Sequence, residues 1–112
     1  MLHLRPDDVE KARVWFEKRG GKLVVYLEGE LDHNTAAGMR AEIDNQLRDR
    51  SVMDLIIDMG GVTFMDSSGI GLVLGRYKLM SRRGGRVRLS RPGARVDRLM
   101  GLSGVYDLVE KQ

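Results

Sequence analysis

Asp54-Leu55-Ile56-Ile57-Asp58-Met59, followed by Gly60-Gly61, is the stretch on which the fold turns. Its short, nearly continuous apolar run is the pattern of a strand buried at the centre of a sheet, and the glycine pair is expected to end it. Upstream, Ala36, Met39, Ile43 and Leu47 recur at helical spacing. Ahead of that helix lies Gly29-Glu30-Leu31-Asp32-His33-Asn34-Thr35, a loop rich in residues that cap helices. Further back, Val14–Glu17 and Leu23–Glu28 are β-favouring runs around Gly20-Gly21, a hairpin signal. Residues 1–12 are polar and charged and read as a tail or leading turn; residues 13–112 form the domain.

Downstream, Ser67-Ser68 stands ahead of a second helix whose expected inner face is Ile70, Val73, Leu74 and Tyr77, with Ser68 as the simple cap. Gly71 and Gly75 are expected to let that helix approach the sheet closely. After Gly84-Gly85, Arg86–Ser90 alternates as a strand, with Val87 and Leu89 on one side. Pro92 introduces a third helix facing inward through Val96, Leu99 and Met100, and Val105–Val109 is expected to be the last strand. The order β-β-α-β-α-β-α-β implies an α/β fold: a mostly parallel sheet with an N-terminal antiparallel hairpin and packed helices. Ligand and partner sites in such sheets gather where strands give way to helices. The loops 29–35 and 60–68 both occupy that position and are expected to sit side by side.

Composition removes several classes of function. At 112 residues, 42% apolar and 31% charged, the chain suits one soluble domain with one core. No apolar run approaches the roughly 20 residues that span a bilayer, and no secretory leader is evident, so a cytoplasmic protein is expected. The absence of cysteine removes disulfides, thiol catalysis and cysteine-held metals. His3 and His33 alone make a histidine-built metal site improbable. The net charge of +3 conceals an arginine-rich segment from Arg76 to Arg98, opposed there only by Asp97. Two readings stay open: a solvated helix face with a charged edge strand, or a basic surface for an acidic partner, protein or nucleic acid. Beyond Tyr77 the segment lacks interleaved aromatics, which argues against nucleic acid.

The candidate chemistry centres on Phe64-Met65-Asp66-Ser67-Ser68-Gly69. A nucleophile elbow needs glycine two residues before and after the serine; Ser67 has Met65 and Gly69, and no histidine follows it. Gly69-Ile70-Gly71 with Gly75 misses the dinucleotide spacing, and no phosphate-loop string exists. A serine ahead of a helix can serve as a phosphate acceptor, since backbone N–H groups there accommodate an anion. Plain capping explains one serine equally well. No catalytic residue, cofactor or metal is expected.

Phe64-Met65-Asp66-Ser67-Ser68-Gly69-Ile70-Gly71 with Leu74-Gly75-Arg76-Tyr77-Lys78 resembles the STAS domain of anti-sigma factor antagonists. Gly29-Glu30-Leu31-Asp32-His33 and Leu102-Ser103-Gly104 fit the same family in order and spacing, so that the resemblance covers residues from about 14 to 110. It is greatest to the anti-sigma-F antagonists of spore-forming bacteria. The resemblance implies a partner switch. Its unphosphorylated form would bind an anti-sigma factor that is itself a serine kinase, releasing the sigma factor. Phosphorylation of Ser67 would end that binding, and a metal-dependent serine phosphatase would reset it. ATP would belong to the kinase, making this chain a substrate and no enzyme. Asp66, Ser68, Gly69, Asp32, His33 and Arg76 would lie on the surface that meets the partner. The resemblance also implies a further C-terminal helix, which residues up to Gln112 do not supply. The other reading is a basic interaction domain in which Ser67 and Ser68 only cap a helix.

Overall fold

The computed structural model describes residues 11–112. Its strands are β1 (Ala12–Arg19), β2 (Lys22–Leu31), β3 (Asp54–Met65), β4 (Arg86–Ser90) and β5 (Glu110–Lys111). The helices are α1 (Ala36–Gln46), α2 (Ser67–Arg82) and α3 (Ala94–Leu102), with a short 3-10 turn at Val105–Asp107. The sheet order is β1-β2-β3-β4-β5, with β1 antiparallel to β2 and each later pair parallel. This is the α/β architecture expected from the sequence. The expected tail over residues 1–12 falls mostly outside the described residues, and β1 already begins at Ala12.

Alternation along the strands decides what is buried. Leu23, Val25 and Leu27 of β2, Leu55, Ile57 and Met59 of β3, and Val87 and Leu89 of β4 point to one face and join a single core. Met39 and Ile43 of α1, Leu72, Val73 and Met80 of α2, and Val96 and Met100 of α3 close over that face. The opposite face carries Trp15 stacked on Tyr26, ring centroids 5.6 Å apart. The hairpin turns at Gly20, whose φ of +57° suits a residue without Cβ.

Three expectations need correction. Gly60-Gly61 does not end the central strand, which runs on to Met65. Lys22 pairs with Asp54 but Leu31 with Met65, so β3 has two more residues than β2 over the same length, taken up in two bulges. Glycine in a strand marks such bulges as readily as it marks an end. Next, the buried stripe of α2 is Gly69, Leu72, Val73, Arg76 and Met80; Ile70, Leu74 and Tyr77 are only half-buried at its margin. Finally, Val105–Val109 is not a strand: it holds the 3-10 turn, and β5 is confined to Glu110–Lys111. There Tyr106 and Lys111 both bond Asp97 of α3, at 2.6 and 3.0 Å, tying the chain end to that helix.

The glycines of α2 also play other parts than expected. A Cβ at Gly71 or Gly75 would meet nothing within 4 Å, so neither is needed for close packing. Gly69 is the tight one: the Met65 side chain lies across it, with Sδ 2.8 Å from where a Cβ would stand. Gly71→Ala and Gly75→Ala should therefore each stabilise the fold by roughly 0.5–1 kcal/mol. Gly69→Ala should cost about 1–3 kcal/mol by displacing Met65. Urea unfolding midpoints check the contrast; equal effects at all three positions would contradict it.

Candidate functional site

The two strand-to-helix loops meet at one corner. The first leaves β2 at Leu31 and is fixed by Asp32, whose Oδ1 accepts the N–H groups of Asn34 and Thr35 at 2.8 and 3.1 Å. This is a turn that the short aspartate side chain makes with its own backbone. Thr35 closes it: its hydroxyl donates to the Glu30 carbonyl at 2.7 Å and accepts the Asp32 N–H at 3.0 Å. Thr35 is buried by this, while His33 and Asn34 are left exposed at the tip.

The second loop is held by Asp66, and here the capping expectation is corrected. Neither serine caps α2. Asp66 is the N-cap, its Oδ1 accepting the Ser68 N–H at 2.7 Å, and Ser67 is the first helical residue. The same carboxylate reaches across the corner, where Oδ2 accepts the His33 N–H at 3.3 Å. The Asp66 N–H in turn donates to the Leu31 carbonyl at 3.3 Å, extending the β2–β3 ladder one step. One aspartate thus ties both loops together. Its carboxyl is held below the usual carboxylate range, chiefly by the Ser68 N–H; partial burial opposes this, and the His33 N–H adds to it.

Ser67 lies exposed beside this clamp, with no hydrogen-bond partner for its hydroxyl among the described residues. Phe64, 48% exposed, lies near the end of β3, three residues before Ser67. Asp32, His33, Asp66, Ser67 and Ser68 are therefore brought together, with Gly69 buried beneath Met65. Arg76 is not part of this surface. It lies about 13 Å further along the helix axis, only 8% exposed, with Nε 3.0 Å from Asp44 Oδ1 of α1. That pair is close without being aligned as a hydrogen bond, and Nη1 has no partner among the described residues. Its burial makes Arg76 a structural residue.

A third cluster lies further back along β3, and no local sequence pattern reveals it. Asp58, buried at 6% exposure in β3, accepts from the Gly60 N–H, from the Ser90 hydroxyl, and from Nε and Nη2 of Arg91, all at 2.8–3.0 Å. Burial pushes its carboxyl up, but these bonds outweigh that and hold it below the ordinary range. Arg91 adopts φ +51°, an uncommon conformation for a side-chain-bearing residue, and its guanidinium lies against Gly60 where a Cβ would stand. The latch thus fastens β4 to the first bulge. A carboxylate in the middle of an apolar run was its one trace in the sequence.

Most of the arginine-rich segment is used inside the molecule. Arg83 donates to the Leu47 carbonyl at 2.7 Å, and Arg88 holds Asp54 through two bonds. Arg86 lies 3.4 Å from Asp54, and Arg91 is taken by Asp58. The expected charged edge strand is corrected here, since β4 lies between β3 and β5, and these arginines are bound within the fold. No group of three or more potential metal ligands occurs among the described residues, and no described helix is long and apolar enough to cross a membrane.

Comparison with known proteins places this geometry. Residues 14–111 match the family described as the STAS domain. The anti-sigma F factor antagonist of Paenibacillus polymyxa is 35% identical over 97 residues, covering 87% of this chain and 83% of that protein. The anti-sigma factor antagonist SpoIIAA, solved in its unphosphorylated form, is 32% identical with a TM-score of 0.78, covering 89% of this chain and 88% of that one. The phosphorylated form of the Bacillus cell fate determinant SpoIIAA gives 31% and 0.71, covering 89% and 91%.

The pH dependence of the clamp is testable. Because folding depresses the Asp66 pKa, its stabilisation is complete above the unfolded value of about 3.9 and is lost as pH falls through the depressed folded value. Asp66→Asn keeps an acceptor oxygen but cannot titrate. The thermal midpoint of the wild type should exceed that of Asp66→Asn by a margin that is constant above about pH 5 and closes towards pH 2. A margin independent of pH would contradict the clamp.

Proposed function

The chain belongs to the STAS-domain family, and on that premise we propose that it is an anti-sigma factor antagonist switched by phosphorylation of Ser67. In its unphosphorylated form it binds an anti-sigma factor that is also a serine kinase, and the sigma factor is released. Phosphate on Ser67 ends that binding, and a serine phosphatase restores it. The kinase holds the ATP, so this chain contributes an acceptor hydroxyl and a docking surface and no catalysis. It works in the cytoplasm with those protein partners.

What supports this reading most is the setting of Ser67. Its hydroxyl is exposed and unengaged, while the backbone on either side is fixed by the Asp66 clamp. A kinase would meet a serine whose position is already set, at low entropic cost. His33 and Asn34, exposed at the tip of the neighbouring loop, supply contact area around it. Asp32 and Asp66 act through the backbone they hold.

The off-switch follows from charge. A phosphoserine adds about −1.5 to −2 at neutral pH, directly after an aspartate that is ionised and already holds the Ser68 N–H. The position at the start of α2 offsets the new charge by roughly 0.3–1 kcal/mol through the helix dipole, so the fold is retained. The similarity of this chain to SpoIIAA in both forms supports that expectation. Across an interface the balance is different: a dianion set against a packed or like-charged surface costs several kcal/mol, and about 1.4 kcal/mol is already tenfold in affinity.

Incubation with the cognate anti-sigma kinase and ATP, followed by mass spectrometry, should place a single phosphate on Ser67. Ser67→Ala should bind the kinase as the wild type does, and Ser67→Asp at least about tenfold more weakly, with unchanged circular dichroism. Phosphate on Ser68 instead, or undiminished binding by Ser67→Asp, would overturn the proposal.

A further inference from the structure

β3 outruns its partner on one side. β4 pairs with it only from Asp54 to Asp58, whereas β2 follows it as far as Met65. From Met59 to Met65 the β4-side edge of β3 therefore has no neighbouring strand among the described residues. The bulge at Thr63 leaves that residue outside the β2 register as well. Exposed edges are usually blunted by charge or proline. Val62-Thr63-Phe64-Met65 has neither, and Phe64 is half exposed.

A groove of about 360 Å³ lies along this edge, between Phe64 and Met65 on one side and Val96 and Leu99 of α3 on the other. That volume is within the range of ligand-binding clefts, about 300–1,000 Å³. Its lining is apolar except for Thr63 and Arg95, and includes no carboxylate. Arg98 follows one turn later on α3, and neither arginine has an ion-pair partner among the described residues, in contrast to Arg86, Arg88 and Arg91. An unpaired strand edge calls for a second backbone, the apolar walls call for side chains at alternate positions, and the cationic rim calls for carboxylates.

We propose that this groove receives an extended acidic segment of a partner protein, which adds to the sheet as a strand beside Val62–Met65. The partner's main chain pairs with the open edge, its apolar side chains enter between Phe64 and Leu99, and its Asp or Glu residues face Arg95 and Arg98. This docking does not depend on the state of Ser67, and it adds a second contact surface adjoining that corner.

The test uses ¹⁵N-labelled protein titrated with an end-blocked peptide of about eight residues alternating Glu with Val or Leu. Amide shifts should change at residues 60–65 and 93–99 and saturate by about 2 mM peptide. Binding should weaken at least about tenfold in the double variant Arg95→Glu, Arg98→Glu, whose exposed positions leave the core intact, and in about 0.5 M salt. Backbone N-methylation of the peptide along one edge should abolish binding, and along the other should not, with the protein itself unaltered. Absent or scattered shifts, equal binding of a Lys-for-Glu peptide, or indifference to methylation on both edges would overturn the proposal. So would tighter binding of oligodeoxythymidine to the same residues.

Discussion

The carboxylate of Asp66 accepts one N–H from the helix it caps and another from a loop that follows a different strand. Both donors are backbone groups that would otherwise stand unpaired at strand-to-helix junctions, so the two loops acquire a common geometry through one side chain. Much of the rest of the structure brings that carboxylate into place. β3 has to extend to Met65 alongside β2, the ladder has to continue through the Asp66 N–H to Leu31, and the first loop has to be closed by Asp32 and Thr35. With the clamp formed, the hydroxyl of Ser67 is left pointing to solvent from a fixed backbone.

Charged groups elsewhere are used in the same way, to set positions. Asp58 and Arg91 fasten the bulged part of β3 to the end of β4, and Arg76 meets Asp44 between α1 and α2. Arg83 gathers the carbonyls that end α1 and lead into β3. Five of the nine cations from Arg76 to Arg98 are thereby engaged within the fold, four of them by carboxylates. Of the cations left unpaired among the described residues, Arg95 and Arg98 lie on α3, and Arg95 lines the groove beside the open edge of β3.

The course of the chain could be read from periodicity because local and tertiary preferences agree there. The Gly20-Gly21 hairpin, the face of α1 through Met39 and Ile43, and the alternation of Val87 and Leu89 all appear where expected. The expectations that failed did so where a neighbouring strand or helix overrode the local signal. Gly60-Gly61 bends β3 without ending it, because β2 goes on pairing beyond it. Three capping residues stand in a row at Asp66-Ser67-Ser68, and only the register with Leu31 selects the aspartate. Apolar periodicity alone predicts a different face for α2, whereas an ion pair with Asp44 of α1 carries Arg76 inward. The pairing of Asp58 with Arg91, and the bond from His33 to Asp66, join residues more than thirty positions apart that no local pattern connects.

The claim on which the account rests is that one carboxylate holds both loops. Amide ¹H–¹⁵N shifts of Ser68 and His33, followed as pH is lowered, test it directly. Both should titrate with a single shared midpoint below the ordinary aspartate value of about 3.9, because both amides donate to Asp66. In phosphorylated protein that midpoint should rise in both together. A His33 amide that ignores pH, or follows a midpoint different from that of Ser68, would contradict the account.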